Sequence, residues 1–289
     1  MCIADETMFK KESKLVLLSF FYHITIMIDY HLHTRLCKHA GGSVEEYVEA
    51  AIERGISEIA FTDHIPLPAQ FDQAHRMEPE QLDTYVNWVR QAGDKYQDIT
   101  IRLGIEADYY RGFERYTEDL LKRYDFDVVI MSVHFLRHWP QGNWIFNYDF
   151  AGKSIDAVYT DYIDTLIEGI HTGLFDILGH TDLIKKAGDS LIDKVPEATS
   201  RLLESISQSA MTIEINTSGY RKAAGESFPG LDWLPLLKQH NIPITVGSDA
   251  HSAEQVGLHF PLVYKEIRQQ GFETLSTYEK RRRKAVRLN

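Results

Sequence analysis

A chain of 289 residues that is 44% apolar can bury one large α/β core or two small ones, and this composition excludes a disordered or low-complexity polymer. Its 31 Lys and Arg stand against 42 Asp and Glu, a formal charge of −11 that repels nucleic acid and anionic membranes and points to a small-molecule substrate. Two cysteines, Cys2 and Cys37, are too few for a disulfide framework and fit a reducing cytoplasm.

The first apolar stretch, LVLLSFFYHITIMI after KKESK, imitates the charged and apolar parts of a signal peptide. It contains His23, lacks a small-residue cleavage site and is too short to span a bilayer, so neither secretion nor membrane insertion is expected. Met27 immediately precedes the first organised strand, and residues 1–26 read as a leader or upstream extension outside the fold, with residues 27–289 as one domain.

That strand, MIDYHLH, leads into the loop TRLCKHAGG, where Cys37 could ligate metal but reads as a small buried hydrophobe. SVEEYVEAAIERG follows as a helix, with Ser43 as N-cap, Glu46 three residues on, apolar residues at helical spacing and a stop at Gly55. Then come the apolar runs EIAFTDH, TIRLGIEAD, DVVIMSVH, FDILGH, TIEINTSG and PITVGSDAH, with EPEQLDTYVNWVRQAGDKY and AVYTDYIDTLIEGIHTG among the intervening helices. Alternation of continuous apolar runs with helices indicates a parallel sheet covered on both faces, open or closed into a barrel. The basic end EKRRRKAVRLN reads as an exposed helix face or tail, since no aromatic interleaving suggests nucleic-acid contact.

Six of the seven runs end in a metal-competent side chain: His31 with His33, then His64, Glu106, His134, His180, and Asp249 with His251. In a parallel barrel all these ends open on one mouth. A lone histidine such as His75, His138, His171, His240 or His259 reads as a surface or hydrogen-bonded residue, whereas repeated placement after strand bodies of Ile, Val and Leu reads as a ligand set. Alternate residues of a strand share a side, so His31 and His33 can grip one ion, and Asp249 with His251 repeats the spacing. Imidazole and carboxylate without thiolate suit two or three ions of Zn, Fe or Mn better than Mg or Ca.

In this order HLH, TDH, GIEAD, SVH, GH and SDAH resemble the polymerase and histidinol phosphatase (PHP) family of metal-dependent hydrolases over nearly the whole chain after Met27. TDHIPLP, GIEADYYRG, SVHF, GHTDLIKK and EINTSGYRK are more similar to the histidinol-phosphate phosphatases of that family than to its polymerase-attached members. The resemblance implies a distorted (βα)7 TIM-like barrel of PHP type with a trinuclear centre. It implies one ion bound by His31, His33, Glu106 and Asp249, a second shared through Glu106 and held by His134 and His180, and a third held by His39, His64 and His251. It further implies cytoplasmic hydrolysis of L-histidinol phosphate to histidinol and phosphate in histidine biosynthesis, with attack by a hydroxide between the first two ions.

Phosphate monoesters resist hydrolysis because hydroxide must approach an anion and an alkoxide must leave, and closely spaced cations neutralise both ends of that displacement. Asp63 is a candidate general acid by position, or alternatively a carboxylate that orients a ligand imidazole. Arg221, in NTSGYRK, resembles the family's phosphate-contacting arginine, and Lys185 in GHTDLIKK is a second candidate for substrate contact. Two other readings remain open. A phosphoesterase or exonuclease acting on nucleotides would call for a basic approach that the net charge does not offer, and a non-catalytic metal-binding domain would have coordinatively closed ions.

Overall fold

In the computed structural model, which describes residues 26–67, 71–136, 143–145, 152–185 and 187–288, the strands are short and the apolar runs form them. In chain order they are β1 (Met27–Leu32), β2 (Ile56–Phe61), β3 (Thr100–Asp108), β4 (Val128–Ser132), β5 (Phe135–Leu136), β6 (Asn143–Trp144), β7 (Ile177–Leu178), β8 (Thr212–Asn216), β9 (Ile244–Gly247), β10 (Thr274–Glu279) and β11 (Arg282–Arg287). Strands β1, β2, β3, β4, β7, β8 and β9 pair in that order, every pair parallel. The seam between β9 and β1 is drawn together by backbone bonds from His33 N–H to Ala250 O (3.0 Å) and from Ala250 N–H to His31 O (3.2 Å). The result is a nearly closed seven-stranded barrel, and its seam sets His31 and His33 beside Asp249 and His251.

Helices cover the outside: α1 (Val44–Glu53), α2 (Leu82–Lys95), α3 (Glu114–Leu121), α4 (Ile155–His171), α5 (Leu191–Lys194), α6 (Pro196–Ser207), α7 (Leu234–Gln239) and α8 (Phe260–Gln269). The capping box of α1 forms as its sequence dictates, with Glu46 N–H donating to Ser43 Oγ (3.3 Å) and Ser43 N–H to Glu46 Oε2 (2.6 Å). The second expected helix begins only at Leu82, after a 3-10 turn over Pro79–Gln81, and buries Leu82, Tyr85, Val86, Val89 and Ala92 along one stripe. Each buried Leu or Val among them contributes roughly 1.5–3 kcal/mol by leaving water. Residues 1–25 of the expected leader lie outside the described residues.

The basic C-terminal segment is neither helix nor tail. It forms an antiparallel hairpin of β10 and β11, in register from Thr274↔Arg287 to Glu279↔Arg282. Its two-residue turn places Lys280 (φ 50) and Arg281 (φ 62) in the left-handed region without glycine or asparagine, at a cost of about 1 kcal/mol per residue or more. Tertiary contacts offset this: Lys280 N–H donates to Asp127 Oδ1 and Arg281 N–H to Asp127 O, both at 2.9 Å, and the Arg281 guanidinium pairs with Asp176. Tyr278 N–H donates to Tyr30 Oη (2.8 Å), and Tyr278 Oη donates to Asp176 O (3.0 Å), so the hairpin packs against the amino-terminal ends of the barrel strands, opposite the histidines.

Candidate metal and phosphate site

At the carboxyl-terminal mouth, Glu106 on β3 is the hub. Its Oε2 lies 3.5 Å from His31 Nε2, 3.7 Å from His33 Nε2 and 2.7 Å from His64 Nδ1, while Oε1 lies 3.0 Å from His180 Nε2 and 3.8 Å from His134 Nε2. Asp249, whose backbone sits at φ 51, reaches His33 Nε2 (3.2 Å) and His31 Nε2 (4.0 Å) across the seam. His39, from the loop after β1, comes back over this floor, and its Nε2 stands 2.8 Å from His251 Nε2. All nine side chains expected as ligands therefore meet in one place. Two of the three expected groups converge as groups; His64 instead turns toward Glu106, its ring centroid 5.4 Å from that of His39 and 6.4 Å from that of His251.

Buried carboxylates fix these rings from behind, and composition alone hid most of them. Glu214 Oε1 lies 2.7 Å from His31 Nδ1, and its Oε2 accepts from His180 N–H (2.9 Å) and Asn216 Nδ2 (3.1 Å). Asp108 Oδ1 lies 2.9 Å from His134 Nδ1, and Asp108 Oδ2 meets Arg76 Nη1 at 2.6 Å. The expectation that strand bodies are purely aliphatic is corrected here: Glu214 lies in the middle of β8, fully buried, and Asp29 in β1 accepts from Ser248 N–H (2.8 Å) and Gly257 N–H (3.0 Å). The readable signal was alternation, since Glu106 and Asp108, like Glu214 and Asn216, recur at the two-residue period that puts both on one side of a strand. A Cβ at Gly247 would run into the Glu214 carboxylate and lie 2.7 Å from His31 Cβ, so glycine there is what lets the carboxylate reach the ring.

The electrostatics of these groups call for cations. Burial alone would strip the proton from His31, but Glu214, Asp249 and Glu106 outweigh it and raise His31 to about 10. Burial also opposes ionisation of Glu106, yet His64 and His31 hold that carboxyl well below the usual range. By contrast burial, with His33 adding to it, lowers His251 to about 3, and burial likewise lowers His39. Their tautomers are set by backbone carbonyls: His39 Nδ1 donates to Cys37 O (2.8 Å) and His251 Nδ1 to Asp249 O (3.0 Å). Each neutral ring then carries its lone pair on Nε2, and those two lone pairs face each other at 2.8 Å, an arrangement that a cation between them relieves. Elsewhere in the cluster His31 Nε2, both ring nitrogens of His33, His180 Nδ1 and Glu106 Oε2 are buried without a hydrogen-bond partner. Unpartnered buried nitrogens and oxygens are costly unless metal takes them up, so the donor set fits divalent ions.

Three further expected site residues separate by environment. Arg221 stands in the wall of the cavity above the histidines, which holds about 660 Å³. Its Nη2 donates to Ser248 O (2.8 Å) and Asp249 O (2.9 Å), and its Nη1 is buried with no protein partner; Ser218 Oγ, in the same wall, is also unpartnered. Lys185 corrects its expectation: it lines the cavity, but its ammonium donates to Asp182 Oδ2 (3.0 Å), Glu226 Oε1 (2.8 Å) and Ser227 O (3.1 Å), which takes up its three protons and braces two loops. Asp63 corrects the general-acid alternative. It is fully buried, with Oδ2 accepting from Thr34 N–H (3.2 Å) and Thr34 Oγ1, and Oδ1 accepting from His64 N–H (2.8 Å) and facing His33 Nδ1 at 3.5 Å. Both oxygens work inside the protein, behind His33.

Comparison with known proteins places the chain by family and by fold. A family model described as PHP domain matches residues 29–218, and one described as PHP-associated matches residues 235–270. The chain is 37% identical to the "Probable histidinol-phosphatase" of Deinococcus radiodurans over 88% of this chain and 97% of that protein. It is 32% identical to the "Histidinol-phosphatase" of Bacillus subtilis over 79% of this chain and 95% of that protein. Its fold matches the crystal structure of histidinol phosphate phosphatase from Lactococcus lactis, solved with Zn, L-histidinol and phosphate, at a TM-score of 0.76 and 22% identity, over 89% of this chain and 98% of that one. Among the described residues no helix is long and apolar enough to cross a membrane.

Proposed function

The chain belongs to the PHP-domain family, and from that premise we propose that it is a cytoplasmic phosphomonoesterase that hydrolyses L-histidinol phosphate to L-histidinol and phosphate with three divalent cations of the Zn, Fe or Mn class. One observation supports the reading above the others: nine imidazole and carboxylate side chains from six strand ends and one loop gather at the barrel mouth, five of the histidines directly around Glu106, with several buried donor atoms left unpartnered. His31, His33, Glu106 and Asp249 would hold one cation, Glu106 with His134 and His180 a second, and His39 with His251 a third. When bound, such ions supply Lewis acidity that lowers the pKa of water and clamps phosphoryl oxygens.

The protein's own groups do the rest. Arg221 Nη1 and Ser218 Oγ, both unpartnered in the cavity wall, donate to phosphoryl oxygens and fix the phosphorus in front of Glu106 and Asp249. Asp108 and Glu214 hold His134 and His31 in the ring orientation that aims their other nitrogen into the centre, and Asp63 places a negative charge 3.5 Å behind His33 Nδ1. Leu183, Ala223, Ala224 and Phe228 form an apolar wall that receives the organic part of the ester and excludes bulk water from the reacting bond. In the net reaction a P–O bond to water's oxygen forms, the P–O bond to the alkyl oxygen breaks, and one proton passes to the departing alcohol.

The test is phosphate release from a panel of phosphomonoesters, histidinol phosphate and nucleotides included, with the metal content of the same preparation measured. The reading expects histidinol phosphate to lead the panel and activity to follow metal content. Faster release from nucleotides would move the substrate assignment to the phosphoesterase alternative.

A further inference from the structure

One ring outward from the histidine cluster, two chain segments set a pair of aromatic side chains in the cavity wall. They are His75, which in the sequence reads as a surface or hydrogen-bonded residue, and Trp144. Their ring centroids lie 4.4 Å apart. Each also stands beside a ring of the cluster: His75 meets His39 edge-on at 5.3 Å, and Trp144 lies 6.5 Å from His134. The apolar wall of Leu183, Ala223, Ala224 and Phe228 comes from the segments after β7 and β8, whereas this pair comes from those after β2 and β4.

The fold builds both positions. The β5–β6 hairpin springs directly from His134, with Ile145 N–H donating to His134 O (2.9 Å) and Trp144 in register with Phe135, their rings edge to face at 5.5 Å. Asp72, in a left-handed turn (φ 53), faces His75 Nδ1 through Oδ1 (2.7 Å) and accepts from Arg76 Nε through Oδ2 (2.8 Å). Buried Arg76 clasps the two segments together: its Nη1 meets Asp108 Oδ2 at 2.6 Å, and its guanidinium lies over the Phe135 ring at 5.7 Å. The Asp72 carboxylate is thereby covered, at 6% exposure, while the His75 ring in the cavity wall stays 40% exposed.

Two anchored rings with open surface make a platform for a third, because offset and edge-to-face contacts between π systems add to the burial of their area. In L-histidinol phosphate five covalent bonds separate phosphorus from the nearest imidazole carbon, roughly 6 Å when extended. With phosphorus in front of Glu106 and Asp249, that length carries the imidazole one ring beyond the cluster, where His75 and Trp144 stand. We propose that Trp144 and His75 are the receiving face for the imidazole of the ester, and that this pair sets the preference for an aromatic amino-alcohol phosphate over an aliphatic one. The inference rests on the reading that histidinol phosphate is the substrate. A contact of this kind is made equally before and during P–O cleavage, so its loss falls on KM more than on kcat.

The test compares kcat and KM of the metal-loaded full chain, Trp144→Ala, Trp144→Phe and His75→Ala on two esters, L-histidinol phosphate and L-alaninol phosphate, which keeps the amino alcohol and lacks the ring. The expected result is a wild type that prefers histidinol phosphate and a preference that falls roughly 3- to 10-fold in Trp144→Ala, through KM for histidinol phosphate. His75→Ala should lower the preference less, and Trp144→Phe should restore most of it. A wild-type preference that persists in both alanine variants, including through equal losses on the two esters, overturns the proposal and leaves the substrate reading standing. A wild type with no preference between the esters overturns the substrate reading and the proposal with it. Should Trp144→Ala fail to fold, the His75→Ala preference decides.

Discussion

Glu214→Gln changes one oxygen to NH₂ at constant shape, and the surroundings permit no comfortable orientation for the amide. The wild-type carboxylate takes protons from three directions: His31 Nδ1 at 2.7 Å, His180 N–H at 2.9 Å and Asn216 Nδ2 at 3.1 Å. If the new NH₂ faces His31, the ring must accept at Nδ1 and carry its proton on Nε2, the atom that points at Glu106 and Asp249. If it faces His180, two donors oppose an N–H of the amide. In the second orientation two buried donors lose their acceptor, a cost of about 1–3 kcal/mol each, and in the first the ring loses the Nε2 lone pair that would face a cation. Removing the carboxylate behind a ligand histidine costs roughly 10- to 100-fold in metal affinity. The assays are urea unfolding and metal content after dialysis against a weak chelator; the variant should unfold about 2–4 kcal/mol more easily and retain less metal than wild type. Wild-type stability together with wild-type metal retention would refute the orienting role given to Glu214.

Arg221→Ala should lower kcat/KM for the phosphate ester roughly 10- to 100-fold, the equivalent of about 1.5–3 kcal/mol for a charge-assisted hydrogen bond, with metal content unchanged; steady-state kinetics and metal analysis check both. Lys185→Met should act on stability, because it leaves buried Asp182 and partly exposed Glu226 without their cation. A loss of about 3–5 kcal/mol in urea unfolding, without a selective rise in KM, is the expected outcome. Arg281→Ala should loosen the C-terminal hairpin by about 1–3 kcal/mol through loss of the Asp176 pair and the bond to Leu174 O, read as faster amide exchange in β10 and β11 while metal binding persists. Chelator treatment should lower the melting temperature of the whole chain, because removing cations exposes the opposed His39 and His251 lone pairs and the unpartnered His31, His33 and Glu106 atoms; zinc readdition should restore it.

The barrel and the side chains gathered at its mouth were legible because both leave periodic marks: apolar runs separated by helices, six of the seven ending in His, Glu or Asp. The helix α1 was legible to the residue from Ser43 and Glu46, a local hydrogen-bond pattern that needs no tertiary context. What escaped was decided by distant partners. Lys185 looks in sequence like any cation beside a ligand motif, and only the fold puts Asp182, Glu226 and the Ser227 carbonyl around its ammonium. Glu214 and Asp108 were passed over because each orients a histidine from another strand, far away in sequence. The hairpin at residues 274–287 has no glycine or asparagine turn, and its left-handed pair Lys280 and Arg281 is held by Asp127 and Asp176 from the barrel's far end. The grouping of His64 with Glu106 in preference to His39 likewise depends on ring orientation, which spacing does not encode.

The most direct measurement of the central claim is anomalous diffraction at the metal absorption edge from crystals of catalytically active protein. The expected result is a cluster of three peaks at the barrel mouth, two of them within bonding distance of Glu106 and one between His39 and His251. Active protein whose crystals show no anomalous scatterer among those residues would contradict it.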